Sequence, residues 1–406
     1  SSAASDVYKR QSETYEAEEQ GTDSRTAKAG DKVLLTGGEN AFIADFTSNQ
    51  TEHAAFPFSI WNKTMRAVMN DYQEEMMINP PCGGVMELRK SISSYLKEFC
   101  AMYVRPEQII IGAGTEYLYS ILIQLLGRNV CYGVENPGYP KIAKIYRSMG
   151  VKYEYIDLDE EGTSAKKLEE KKVDIMHISP SHHFPTGMVM PISKRYELLG
   201  WVTREKERYI IEDDYDSELR LAGKPIPSLQ SIDVSGKVIY INTFAKTLCS
   251  TVRISYMVLP EALAEKYYRE LSFYSCTVSN FEQYTLAAFM NAGAFEKHIN
   301  RLRNYYQHKR DLILSTFLRE PLGKYITISE EDSGVHFLMH VNTSMSEQEF
   351  LLKTRAKGIR LATLSSFYNA EQKDSRYENT YVMNYSFVNC DRLEYVAQTL
   401  YKIIHP

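Results

Sequence analysis

Between Gln108 and Leu259, short runs of β-branched and apolar residues alternate with stretches of helical period, and few folds accept that rhythm. Ile109-Ile110-Ile111-Gly112 reads as a buried strand, Tyr117 to Leu126 as an apolar helix, and Val130 to Val134 as the next strand. Further strands fall near Tyr153 to Ile156, Val173 to Ile178 and Tyr209 to Glu212, with helices between them. Strands spaced by helices of this length argue for an α/β fold, a mostly parallel sheet covered on both faces. In such a sheet, ligands gather beyond the carboxyl ends of the strands.

The flanks of this core read differently. Residues 1–44 hold almost no large apolar side chain between Val7 and Val33, so we expect a disordered tail or linker there. Residues 45–295 form the expected large domain with its N-terminal segment. After Pro260 the helices lengthen; a charged helix from Phe295 to Phe317 leads into a smaller α+β unit, so the second domain is drawn over residues 296–406. Gly334 to Met339 and Tyr381 to Val388 are its strands. His336 and His340 would stand about 13 Å apart at strand rise, too far for one metal, and read as packing residues.

Composition excludes several classes. With a formal charge of -5 the chain has no overall basic surface for nucleic acid. Its six cysteines show no CxxC pair, which fits a reducing cytoplasm. No apolar run is long enough to span a membrane, so no membrane partner is expected.

Candidate site residues fall at strand ends. Gly114-Thr115-Glu116 opens a helix whose N–H groups favour an anion. Thr243 and Arg253 would complete a phosphate cup, the guanidinium offering its fork. Lys246 follows a strand in Ile241 to Tyr256, and alone it would read as a solvated loop lysine. About thirty residues upstream lies Glu212-Asp213-Asp214-Tyr215-Asp216. A lysine, an aspartate and an arginine in this order are what pyridoxal 5'-phosphate needs: a Schiff-base amine, a partner for the pyridinium nitrogen and a phosphate ligand. Tyr215 would reach the ring's phenolic oxygen and Tyr139 would stack on the ring. A divalent metal at Asp213, Asp214 and Asp216 or a solvated acidic turn is the rival reading, though the glycine and distal glutamate of hard-cation loops are missing. Tyr139 is alternatively a packing residue. His182 stands at a strand end, with a structural role as its alternative.

Four ordered motifs carry a resemblance. They are Glu135-Asn136-Pro137-Gly138-Tyr139, Pro180 to Gly187 (PSHHFPTG), Ile211 to Glu218 (IEDDYDSE), and Thr243-Phe244-Ala245-Lys246-Thr247-Leu248 with Arg253. Together they closely resemble the aminotransferase-like domain of MocR/GabR-type regulators of the GntR superfamily, from about Asp45 onward. The resemblance implies a fold-type-I pyridoxal phosphate domain that pairs as a homodimer. It implies Lys246 as the internal-aldimine lysine, Asp213 as the pyridinium partner, Tyr215 as the O3' contact, Tyr139 as the stacking ring and Arg253 as a phosphate ligand. Three positions depart from the family: Ala245 replaces a common serine, Lys141 stands where an arginine can serve the effector, and Phe387 stands near the position of the small-domain arginine. Such regulators also carry a winged helix-turn-helix, a fold that the polar first residues here cannot make. The expected function is an effector domain that senses a small amine or amino acid through an external aldimine, meeting DNA only through that missing N-terminal reader. A stand-alone class I/II aminotransferase and a structural dimer without cofactor are the alternatives.

Overall fold

The computed structural model describes residues 42–405 except 49, 53–54, 222–225, 333 and 370–376, so the expected N-terminal tail lies largely outside the described residues. Strands β2 (Ile109–Ala113), β3 (Tyr132–Asn136), β4 (Tyr153–Asp157), β5 (Ile175–Ile178), β6 (Tyr209–Asp213), β7 (Val238–Thr243) and β8 (Ile254–Val258) form one sheet. Their spatial order is β2-β8-β7-β6-β5-β3-β4. Only β8 runs against the others, pairing antiparallel with both β2 and β7. Its amino end therefore reaches the edge where the other strands end.

Alternation along each strand explains the layers. Ile109 and Ile111 join Tyr240, Tyr256 and Val258 in one core, while Ile110 joins Ile239, Ile241 and Met257 in the other. Successive side chains point to opposite faces, and here both faces are covered. Helices α1 (Phe58–Asp71), α2 (Met86–Cys100) and α8 (Asn280–Asn291) supply Val68, Leu88 and Leu286 to the first layer. Helices α3 (Thr115–Leu126), α4 (Pro140–Ser148) and α7 (Glu261–Glu270) supply Leu118, Ile142 and Leu263 to the second. Helices α5 (Ala165–Glu170) and α6 (Ile192–Val202) close the β4 end around Trp201. Each isoleucine buried this way contributes about 1.5–3 kcal/mol, which is why an unbroken Ile-Ile-Ile run suits a central strand.

Helix α9 (Ala294–Phe317) begins in the first core through Phe295 and ends in the C-terminal core through Phe317. There β9 (Ile326–Ser329), β10 (His336–Val341), β12 (Ala362–Thr363) and β13 (Thr380–Asn384) make an antiparallel sheet in the order β12-β13-β10-β9. Helices α10 (Glu347–Ala356) and α11 (Leu393–Ile404) pack on it through Phe350, Val396 and Leu400. A short strand β1 (Ala44–Asp45) pairs in parallel with β11 (Ile359–Arg360), and Phe46 is fully buried in this C-terminal core. Sequence placed Asp45 with the large domain; a parallel pairing across more than three hundred residues leaves no local pattern to find. Among the described residues, no helix is long and apolar enough to cross a membrane.

Candidate cofactor site

Asp213 is the last residue of β6, buried, and held by two donors. The Tyr119 hydroxyl, from the second turn of α3, donates to Oδ2. His177 of β5 places Nε2 3.4 Å from the same oxygen, while its Nδ1 lies 2.9 Å from the Tyr146 hydroxyl. A carboxylate oxygen accepts, so it is the Nε2–H of His177 that donates to Asp213. Burial, then the Asp213 charge, pushes the Tyr119 phenol well above its usual range, which keeps it a donor. The other oxygen, Oδ1, is buried with no hydrogen-bond partner. A buried acceptor left open costs about 1–3 kcal/mol, so it marks a place built for an N–H.

Beyond β7 the chain turns through Thr243 to Lys246. The Thr243 hydroxyl accepts from the Ala245 amide at 3.2 Å and from Ser255 Oγ at 2.9 Å, tying the turn to β8. Lys246 is half-buried. Burial pushes its ammonium below the usual lysine value, and the Asp216 charge offsets part of that. It gives up its proton more readily than a solvated lysine does.

Arg253, just before β8, sits beside the start of α3. Its Nη2 lies 2.7 Å from Glu116 Oε2, and Lys141 grips the other Glu116 oxygen. Gly114, which precedes α3, has φ +92°, and a Cβ there would stand 2.1 Å from Arg253 Nη2. Glycine is required both by that backbone and by the close guanidinium. Burial raises the Glu116 carboxyl, but the Lys141 hydrogen bond and the Arg253 charge outweigh it and hold it below the usual range. The cup expected for phosphate thus contains a carboxylate of its own.

Three more of the expected residues are aromatic rings with ring neighbours of their own. Tyr215 stacks on His182 with centroids 6.0 Å apart, and its hydroxyl lies 3.3 Å from His182 Nδ1. Asp216 takes that same nitrogen at 2.8 Å. Tyr139 is exposed and meets Phe184 edge-on at 5.9 Å. The three aspartates of the acidic turn face different partners: Asp213 meets Tyr119, Asp214 meets Tyr240 and Ser217, Asp216 meets His182. Among the described residues no cluster of three or more such groups is arranged to hold a metal.

Tyr119, His177 and His336 escaped the sequence. Tyr119 looks like any apolar-helix tyrosine, and its partner is 94 positions away. His336 read as packing, yet its ring lies 4.6 Å from that of His182 and the Lys246 charge helps depress it. Strand order does the rest. Asp213, the Lys246 turn and Arg253 belong to β6, β7 and β8, three neighbours in the sheet. Adjacent strands lie about 4.8 Å apart, so the segments that carry the carboxylate, the amine and the guanidinium are neighbours at one edge of the sheet.

Residues 43–376 match the model of the aminotransferase class I and II family. The chain belongs to that family. This aminotransferase-like domain is of the MocR type: it is 39% identical over 330 residues to YdeL of Bacillus subtilis, an uncharacterised HTH-type transcriptional regulator, covering 81% of this chain and 71% of YdeL. It is 30% identical over 322 residues to MocR of Rhizobium meliloti, a probable rhizopine catabolism regulatory protein, covering 79% of this chain and 65% of that protein. Pyrococcus horikoshii kynurenine aminotransferase shares the fold, with a TM-score of 0.75 at 22% identity over 90% of this chain and 91% of that one. The cofactor of this aminotransferase-like domain is pyridoxal 5'-phosphate. The residues present fit it: an open buried carboxylate oxygen for a ring N–H, a lysine whose ammonium burial destabilises and an arginine at a helix start lie at one edge of the sheet.

Proposed function

We propose that this chain is the effector domain of a MocR-type transcriptional regulator, binding pyridoxal phosphate at Lys246 and sensing a small amine or amino acid there. In this proposal it acts as a cytoplasmic homodimer, and DNA is read by a helix-turn-helix segment of the kind its relatives are named for. The row of Asp213, Lys246 and Arg253 over three adjacent strands carries the reading.

Bound pyridoxal phosphate supplies an aldehyde that condenses with amines and a protonated ring that withdraws electrons. The chain's own residues do the rest. Asp213, fixed by Tyr119 and His177, would accept from the ring nitrogen through its open oxygen. Lys246 provides the amine for covalent attachment. Tyr215, beside His182, would supply a hydroxyl for the ring oxygen, and Tyr139 would supply an aromatic face for the ring. Arg253 and the first turn of α3 would hold the phosphate, with Thr115 at the helix start and Thr243 backing the turn. An effector amine would compete with the Lys246 amine for that aldehyde, and Asp216 and His336 are the groups whose charge interactions with Lys246 would then change. His336 belongs to the C-terminal sheet, so that exchange is felt by both parts of the fold.

The test is to incubate the purified chain with pyridoxal phosphate, reduce with borohydride and map the label by peptide mass. Label at Lys246 supports the proposal; an unlabelled protein removes it. A panel of amino donors then separates sensor from enzyme. Spectral change that stalls at one equivalent supports sensing, whereas keto acid accumulating over many turnovers supports an aminotransferase.

A further inference from the structure

Glu116 is the feature the cofactor reading leaves unexplained. Its carboxylate lies 2.7 Å from Arg253 Nη2, is gripped by Lys141 on its other oxygen, and would stand 2.7 Å from a Cβ placed on Gly114. It therefore occupies the space at the α3 N-terminus where backbone N–H groups, helix dipole and guanidinium all favour an anion. A phosphate needs that same guanidinium.

We propose that Glu116 is a built-in competitor for the anion cup, displaced from Arg253 by a phosphate-bearing ligand and retained by Lys141, so that it sets the affinity of this chain for pyridoxal phosphate. The inference rests on the function proposed above. Its physics is exchange. The side chains of Arg253, Glu116 and Lys141 are 50%, 32% and 48% exposed, and an ion pair so open to water is weakly held. A phosphate dianion offers several oxygens to the guanidinium fork and the amides, which a single carboxylate does not. Two cations and one carboxylate give the empty cup a charge of +1, and phosphate entry takes it to -1. Without the carboxylate the same entry runs from +2 to 0. Lys141 lowers the cost by keeping the displaced carboxylate paired.

The experiment titrates the full apo chain with pyridoxal phosphate and, separately, with pyridoxal, which lacks the phosphate. Glu116→Gln should tighten pyridoxal phosphate by about fivefold or more and leave pyridoxal unchanged. Glu116→Asp, too short to bridge both cations, should fall between. Lys141→Met should weaken pyridoxal phosphate binding in the wild-type background and do so less in the Glu116→Gln background. Unchanged or weaker pyridoxal phosphate binding in a folded, labelled Glu116→Gln protein overturns the inference alone, as does an equal shift for both ligands. A wild-type chain that takes no label at Lys246 overturns the function proposed above, and this inference with it.

Discussion

His182 and His336 face each other with ring centroids 4.6 Å apart, one in the loop after β5 and the other opening β10. His182 engages Asp216 through Nδ1 at 2.8 Å, and the Nε2 atoms of both rings are buried without partners. Burial, then the neighbouring charges, holds the His336 imidazole well below its ordinary value, so protonating it opposes this contact. The contact between the large sheet and the C-terminal sheet is consequently sensitive to acid.

Stability of the apo chain should follow that chemistry. Burial pushes His183 down to about 3, and burial with the neighbouring His182 and Lys246 charges pushes His336 well below its ordinary 6.5. Each takes a proton more readily when unfolded, so its contribution is complete above pH 6.5 and is lost as pH falls, by up to about 1.4 kcal/mol per unit per residue. Glu135 and Glu218 are pushed by burial from 4.5 up to about 8, so theirs is complete below pH 4.5 and lost as pH rises to 8. Burial also pushes Glu212 up to about 7 and Asp214 up to about 6, so between pH 4.5 and 6.5 the raised carboxyls outweigh the two histidines and urea midpoints should fall there. His336→Gln should flatten the acid limb. Stability that climbs steadily to pH 8 would contradict this balance.

Tyr119→Phe removes the hydroxyl that donates to Asp213 and leaves that buried oxygen with only the longer His177 contact at 3.4 Å. We expect a loss of about 1–3 kcal/mol in urea denaturation. Tyr146→Phe acts one residue further out, through His177, and should cost less. Equal losses would show that the Tyr119 hydroxyl has no special hold on Asp213.

Gly114→Ala and Gly127→Ala make a matched pair. Both glycines have positive φ, +92° and +109°, but only at Gly114 does a Cβ meet Arg253, at 2.1 Å; nothing lies within 4 Å at Gly127. Each change should cost about 1–2 kcal/mol for the backbone. Gly114→Ala should additionally weaken pyridoxal phosphate about tenfold or more while sparing pyridoxal. Calorimetry with the two ligands distinguishes the outcomes, and equal ligand affinities in both variants would rule out a cup at this position.

Lys246→Ala should abolish the borohydride-trapped label while leaving the apo fold intact, because the side chain is half-buried and belongs to neither apolar core. Label that persists on another lysine would place the attachment elsewhere.

Local chemistry made the sheet legible. Unbroken runs such as Ile109-Ile110-Ile111 must be buried on both faces, and the helices between strands place those strands in parallel. Strand ends then located Asp213, Lys246 and the Gly114 turn, because each lies within a few residues of its own strand. Direction and company were decided by the fold. Nothing near Arg253 says that β8 runs backwards, yet only that reversal brings its amino end, and the guanidinium, to the common edge. Likewise the donors to Asp213 come from 94 and 36 positions away, and Glu116 meets Arg253 across 137. A sequence specifies which backbone each residue joins through periodicity and turn chemistry, which are local. Which charged groups share a site depends on strand order and on chain closure over long separations, and only the packed structure expresses those.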